Sequence, residues 1–307
     1  MVAPVPAPSA ATVATRWLIA GIVVCALIWG TTWYAITLQL GPVAPTVSIV
    51  WRFGLAALAL FVFCLATRRP VRLNRVQHLA ALGQGAFVFA ISYGFVYASE
   101  ERVPSAVVAV IFAGLAFINL VLFRIIAGQK ASRLAWGGAA LGLVGVAVLS
   151  GSEILGSDMT AAAGLGVGMA ALAVLSSAFG NYFAWRGQVA GSAVMPATAW
   201  AMTYGTAMLA VFGLTQGVEW RIEPSISYIG SLLYLSLLGS VVAFVIYFTI
   251  ARSRGYALAS YISALTPPIA MLVSVLFEGA SFGLTALFGL ALVLAGQVLL
   301  IRAPKVS

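Results

Sequence analysis

The chain of 307 residues is 63% hydrophobic and only 7% charged, with a mean hydropathy of +1.09. Soluble domains carry about 25% charged residues, so the soluble class is excluded and lipid must solvate most of the chain. The net charge of +9 lies between hydrophobic runs, which makes it a signal of orientation in a bilayer and not of a nucleic-acid partner.

Residues 1–15, MVAPVPAPSAATVAT, are rich in Pro and Ala without an apolar core of their own, and predict a disordered tail. A spanning helix needs about 20 mainly apolar residues, and ten such runs follow. In the first half α1 to α5 are expected at Trp17–Leu38, Ala44–Ala66, Val76–Tyr97, Val103–Ile126 and Arg133–Ser150. In the second half α6 to α10 are expected at Thr160–Ala184, Ala193–Gln216, Ile226–Ala251, Tyr256–Phe277 and Gly283–Ile301. The first run is too long for a signal-peptide core, so it reads as a retained helix. The linkers are short and leave no room for an extramembrane domain between runs. The expected fold is an all-α integral membrane protein, since barrel strands would be short and alternate apolar with polar. Cys25 and Cys64 fall within apolar runs with no Cys/His cluster beside them, and read as small buried hydrophobes. No metal and no cofactor are expected.

Charge then orients the helices. Arg16 precedes α1; Arg68, Arg69, Arg72 and Arg75 fill the second loop; Arg124, Lys130 and Arg133 flank the fourth. Arg186 marks the sixth loop, Arg252 and Arg254 the eighth, and Arg302 and Lys305 the C-terminal end. None of these segments contains an acid. The seven acids, Glu100, Glu101, Glu153, Asp158, Glu219, Glu223 and Glu278, all occupy the alternate loops. Basic loops mark the cytoplasmic side, so both ends of the chain are expected there, in a multi-pass bacterial inner-membrane protein.

The two halves also repeat. At an offset of 151 residues Gly54 falls on Gly205, Gly128 on Gly279, Gly138 on Gly289, Gly145 on Gly296 and Pro45 on Pro196; at 150, Trp29-Gly30 falls on Phe179-Gly180. Division into a first five-helix unit, 16–152, and a second, 153–303, with 304–307 as a tail, follows. An odd number of helices per unit makes the second copy enter from the opposite face. Such inverted repeats serve alternating access in many secondary transporters.

The segments ALIWGTTWYAI (α1), WRFGLAALAL (α2), AWGGAALGLVGVAVL (α5), SLLYLSLLGSVVAFVIYFTIARSRGYALASYISALTPPIAMLVSVL (α8–α9) and FGLALVLAGQVLL (α10) resemble the drug/metabolite transporter superfamily in its EamA-type ten-helix form. The chain looks most like the YddG-type exporters of aromatic and other neutral amino acids. The resemblance implies a basket of ten helices with α1, α3, α4, α6, α8 and α9 around a central cavity. The chain departs from the pattern at Gly128-Gln129 and Gly279-Ala280, where many relatives carry Gly-Glu, with Glu278 displaced upstream. It departs again at Ala116, where relatives often have a proline that the repeat partner Pro267 keeps.

The interior is poor in chemistry. Away from helix ends Arg52 is the only full charge, and His78, the single histidine, lies at the cytoplasmic edge of α3. There is no HExxH, paired carboxylate, phosphate loop or Ser/His/Asp set, so no enzyme is expected. Uncharged polar and aromatic groups remain: Trp29, Thr32, Trp33, Gln84, Tyr93, Asn119, Asn181, Trp185, Ser240, Tyr247, Ser260 and Ser263. Amides and hydroxyls can satisfy the ends of a zwitterionic amino acid while rings stack on its side chain; the plainer alternative is interfacial belts and interhelical hydrogen bonds. Gln84 and Asn181, amides deep in opposite halves, are expected to face a common cavity. Arg52, about 12 Å below the outer end of α2 at 1.5 Å per residue, is a candidate clamp for a substrate carboxylate or else a snorkelling side chain. Pro267-Pro268 should bend α9, as a hinge or as a static kink. The glycines of α5 and α10 read as close-packing positions.

The sequence thus points to export of aromatic and other neutral amino acids down their own gradient. Proton coupling through side chains is not expected unless Glu100 or Glu278 reaches the outer mouth of the cavity. A broad drug or metabolite exporter on the same fold, and a membrane sensor or intramembrane enzyme, are the alternatives. The expected partners are a small-molecule substrate and the lipid bilayer.

Overall fold

A computed structural model describes residues 10–41, 43–128, 130–156, 160–259 and 261–303. Among them the regular structure is helical throughout. α1 spans Ala10–Thr37, α2 Pro45–Ala66 and α3 Arg75–Glu100; α4 spans Ser105–Ala127, interrupted at Gly114. α5 is Arg133–Gly156, α6 Thr160–Val189 and α7 Val194–Thr215. α8 is built of Ile226–Tyr234, Leu235–Val242 and Ala243–Arg254, α9 of Tyr256–Ala259 and Tyr261–Phe277, and α10 of Leu284–Arg302.

Seven of these helices are long and apolar enough to cross a membrane; the apolar stretches Arg133–Leu149, Leu265–Phe277 and Leu284–Leu300 of α5, α9 and α10 are shorter. α1 begins at Ala10, inside the stretch expected to be an unstructured tail. Ala10, Ala11 and Ala14 carry high helix propensity and extend the helix backwards from the apolar run. Large apolar side chains such as Trp17, Leu58, Leu65, Leu276 and Phe288 are exposed, as lipid contact requires.

Local signals set several ends. Asn74 and Gln77 form a reciprocal capping box at the start of α3, Pro45 occupies the first turn of α2, and Ser225 caps α8. α4 closes on Gly128 at φ 65° and α9 on Gly279 at φ 67°. That left-handed backbone is open to glycine without a Cβ penalty. Gly41 and Gly191, 150 residues apart, likewise have positive φ after α1 and α6.

The two halves share a rarer feature. α3 is π-helical over Gly85–Ser92 and α8 over Leu235–Val242, eight residues each and again 150 apart. The halves meet at α5 and α10. A Cβ on Gly138 would lie 2.5 Å from the Gly296 carbonyl oxygen, and one on Gly145 would lie 2.6 Å from that of Gly289. Under the offset of 151 the first contact maps onto the second, so one surface is used twice, as across a two-fold axis. The close packing expected of these glycines is what the structure shows. Cys25 and Cys64 are buried free thiols.

Arg102 pairs with Glu101 at 3.3 Å and Arg221 with Glu219 at 3.7 Å, both at the end of the bundle that carries the acids. This end is called the acidic end below.

Candidate functional site

A central cavity takes its lining from six helices. Trp29, Thr32, Trp33 and Ile36 come from α1, Val88 and Tyr93 from α3, Phe112 and Leu115 from α4, Ser177 and Asn181 from α6, Phe244 and Tyr247 from α8, and Ser263 and Thr266 from α9. These are the six helices that the resemblance implied. The walls are mainly apolar, with six aromatic rings among them: Trp29 lies edge-on to Phe244 at 5.1 Å, and Trp33 is tilted against Phe112 at 5.0 Å. Such pairs fix ring orientation beyond simple area burial.

The polar groups are few and mostly engaged. Asn181 Nδ2 donates to Tyr247 Oη at 3.1 Å and to Asn119 Oδ1 at 3.4 Å, so three helices share one amide cluster. Trp33 differs, because its Nε1 is buried with no hydrogen-bond partner among the described residues. A donor left unpaired in a protein interior costs about 1–3 kcal/mol. One that lines a cavity is available to an acceptor on whatever occupies that cavity.

The π-helical segments supply part of this wall. A π turn bonds i to i+5 and leaves carbonyls to be satisfied from elsewhere. Trp29 Nε1 of α1 donates to the Gly239 carbonyl at 3.1 Å, and Ser176 Oγ of α6 donates to the Phe87 carbonyl at 2.6 Å. Each π segment is therefore capped by the first helix of the opposite half. Replacing Trp29 by Phe removes the donor and keeps the ring; melting in detergent should drop by roughly the 1 kcal/mol of a net hydrogen bond, and an unchanged melt would show the Gly239 carbonyl has another partner.

In α9, Pro267 cannot donate to the Ser263 carbonyl four residues back. Thr266 Oγ1 donates to that carbonyl instead, at 2.9 Å. The proline pair thus sits in a helix that continues through it, with Thr266 and Ser263 facing the cavity. In α4 the interruption falls at Gly114, two residues before the Ala116 that replaces the usual proline.

Arg52 does not snorkel. It is 1% exposed, donates from Nε to Ser240 Oγ at 3.0 Å and from Nη2 to Tyr93 Oη at 3.4 Å, and lies 4.6 Å above the Tyr93 ring. Burial against α3 and α8 wins over solvation because those two hydroxyls and two aromatic faces stand in for water. It lies behind Tyr93, outside the lining residues, and so positions a wall of the cavity.

Of the residues singled out from sequence, Trp29, Thr32, Trp33, Tyr93, Asn181, Tyr247 and Ser263 line the cavity. Asn119 joins through Asn181 and Ser240 through Arg52. Gln84 is buried but is not a lining residue, more than two turns from Tyr93, so the common cavity expected for Gln84 and Asn181 holds Asn181 alone. Trp185 packs on Phe123 and Tyr182 away from the lining. Ser260 lies outside the described residues. Ile36, Val88, Phe112, Leu115, Ser177, Phe244 and Thr266 were not singled out; apolar residues in an apolar run carry no sequence mark of which face they occupy.

The acidic end of the cavity is sealed. Ile36, Gln39, Tyr97, Glu100, Val103 and Ser105 are all buried there, and Tyr97 Oη donates to Gln39 Oε1 at 2.7 Å. Glu100, expected to face water, is 7% exposed, and neither carboxyl oxygen has a hydrogen-bond partner among the described residues. It ends α3 and is turned inward.

The EamA-like transporter family model matches residues 10–151 and again 164–302. The uncharacterized inner membrane transporter YedA of Escherichia coli is 27% identical over 295 residues, covering 92% of each chain. The uncharacterized transporter YoaV of Bacillus subtilis is 24% identical over 256 residues, covering 82% of this chain and 85% of its own. A solved crystal structure, described only as that of a protein, matches with a TM-score of 0.71 at 18% identity over 92% of this chain and 96% of that one. That last likeness speaks for the fold alone. With both halves of the chain matched, the helices and their central cavity are those of a membrane transporter, and the chain belongs to the EamA-like transporter family of the drug/metabolite transporter superfamily.

Proposed function

We propose that this protein is a secondary transporter, not an enzyme, that exports aromatic and other neutral amino acids across the bacterial inner membrane. One observation carries the reading: an apolar cavity with six aromatic rings whose described lining contains no Asp, Glu, Lys, Arg or His, but includes the unpartnered Trp33 Nε1 and the Asn181 amide. A net-neutral zwitterion with an apolar side chain suits such walls, because a fully charged solute would lack a counter-charge. Units 16–152 and 153–303 rock against each other, with Pro267 and Pro268 as the hinge of α9. Solute follows its own gradient, and leaves the cell where it is more concentrated inside. Bound solute shifts the rocking equilibrium only by its differential affinity for the two states.

Counterflow in proteoliposomes tests this. Labelled tryptophan and leucine should exchange, and arginine and glutamate should not; exchange of a hydrophobic dye in preference to either amino acid would favour a broad drug or metabolite exporter. Asn181→Ala should cut tryptophan exchange about tenfold, the 1.4 kcal/mol equivalent of one lost polar contact, while Gln84→Ala leaves exchange per folded protein unchanged. Equal loss in both variants would return Gln84 to the transport path.

Orientation follows from the basic loops, which place both ends of the chain in the cytoplasm. A reporter fused after Ser307 should be active only as a cytoplasmic fusion, and activity confined to the periplasm would reverse the assignment. The acidic end then faces outward.

A further inference from the structure

We propose that Glu100 is a proton-binding site that gates the outer face of the transporter in response to external pH, without carrying protons across the membrane. The inference uses the orientation given above and does not depend on the identity of the solute.

Glu100 is the last residue of α3, one turn beyond Tyr97 and two beyond Tyr93. Its carboxyl group is buried, and neither oxygen has a hydrogen-bond or ion-pair partner among the described residues. The charged groups within electrostatic reach are Arg52 on α2 and Glu278 after α9. Arg52 donates from Nε to Ser240 and from Nη2 to Tyr93, its buried Nη1 being without a partner among the described residues, and Ser274 Oγ donates to Glu278. Just after α1 the neighbouring polar group is Gln39, whose Oε1 accepts from Tyr97 and whose buried Nε2 has no partner among the described residues; α4 opens with Ser105, whose buried Oγ is also without a partner among the described residues. On α6, Gly166 packs against Arg102 and accepts from Ser99 Oγ, and brings no charge.

An ionised carboxylate cannot remain buried without hydrogen-bond donors, since removing it from water costs several kcal/mol, a cost that the Arg52 charge opposes while Glu278 adds to it. Glu100 is not a lining residue of the cavity, and no cluster of three His, Cys, Asp or Glu side chains among the described residues could hold a metal ion there. The ligand that fits is a proton, held as the neutral acid while the outer face is sealed.

Opening that face must separate Ile36, Gln39 and Ser105 from the end of α3 and admit water. Glu100 then ionises, passing its proton to water as hydronium and leaving a hydrated carboxylate. The closed form binds one proton more than the open form, so closure is favoured at low pH and opening grows as pH rises. About 10 Å of α3, seven residues at 1.5 Å per residue, separates Glu100 from the level of Tyr93. Tyr97 and the Gln39 that accepts its hydrogen bond are buried along that interval, so the proton enters and leaves from the outer side only. External acid slows transport, and a pH gradient drives nothing uphill.

The test is hydrogen–deuterium exchange on the full chain in lipid nanodiscs, with no solute added. After correction for the intrinsic exchange rate, amides at the end of α3 and the start of α4 should exchange about tenfold faster at pH 8.5 than at pH 5.5. Glu100→Gln, permanently neutral, should be slow and flat across that range. Glu100→Asp should keep the pH dependence. A flat wild-type profile, or a Glu100→Gln profile like that of wild type, overturns the proposal; if Glu100→Gln does not fold, the wild-type profile decides. Uphill accumulation of tryptophan driven by a pH gradient in proteoliposomes would also overturn it, by showing that the proton crosses.

Discussion

Gly138→Leu and Gly296→Leu should each abolish recovery of folded monodisperse protein. A Cβ at Gly138 would meet the Gly296 carbonyl oxygen at 2.5 Å and the Leu300 amide nitrogen at 2.9 Å; one at Gly296 would meet Gly142 N at 2.5 Å. These are backbone atoms of a facing helix and cannot rotate away, so relief requires α5 and α10 to separate. Overpacking of well-fitted cores costs about 1–3 kcal/mol, and separation of two helices adds the loss of their whole interface. Gly137 and Gly142 provide the control, since a Cβ on either meets nothing within 4 Å. Alanine there should be tolerated and can gain up to about 1 kcal/mol of helix propensity. Size-exclusion profiles and melting in detergent measure both sets. A Gly138→Leu variant that melts with wild type would mean that α5 and α10 do not meet as described.

Arg52→Met should cut transport at least about tenfold per folded molecule, equivalent to 1.4 kcal/mol, with a moderate loss of stability. Methionine fills much of the volume, and Ser240 Oγ keeps its bond to the Leu235 carbonyl at 2.8 Å. Tyr93 Oη loses its donor and the cation over its ring, a buried polar group left unsatisfied at about 1–3 kcal/mol. Tyr93 lines the cavity, so its ring is free to shift where solute binds. Arg52→Lys is the discriminating variant. A lysine ammonium is a point charge without the planar fork that reaches Ser240 and Tyr93 together, so Arg52→Lys should recover folding yield but not full exchange. Wild-type exchange with lysine would show that position 52 needs charge and not geometry.

The sequence alone determined that the chain is helical and lipid-solvated, where its apolar runs lie to within a turn or two, and that it repeats at an offset near 150. Each of these follows from local or periodic physics. Twenty apolar residues can bury their backbone only as a helix, Pro45 and Gly128 act through their own backbones, and the Asn74 side chain caps the turn that it begins. The candidate site was partly legible for the same reason: Trp29, Trp33, Asn181 and Tyr247 are polar or aromatic residues inside apolar runs, where each needs a partner or a purpose. Tertiary structure decided the rest. Hydropathy does not tell which face of an all-apolar helix turns inward, so Phe112, Leu115 and Phe244 were invisible as lining. Nor does it register the π turns, whose carbonyls need donors from the opposite half. Arg52 and Glu100 are the sharpest cases. Composition places an arginine that can snorkel, or a glutamate at a helix end, in water, and only the packing of Tyr93 and Ser240 about the one and of Tyr97 and its neighbours about the other removes that water. Solvation of a charge depends on neighbours distant in sequence, and those exist only once the helices have packed.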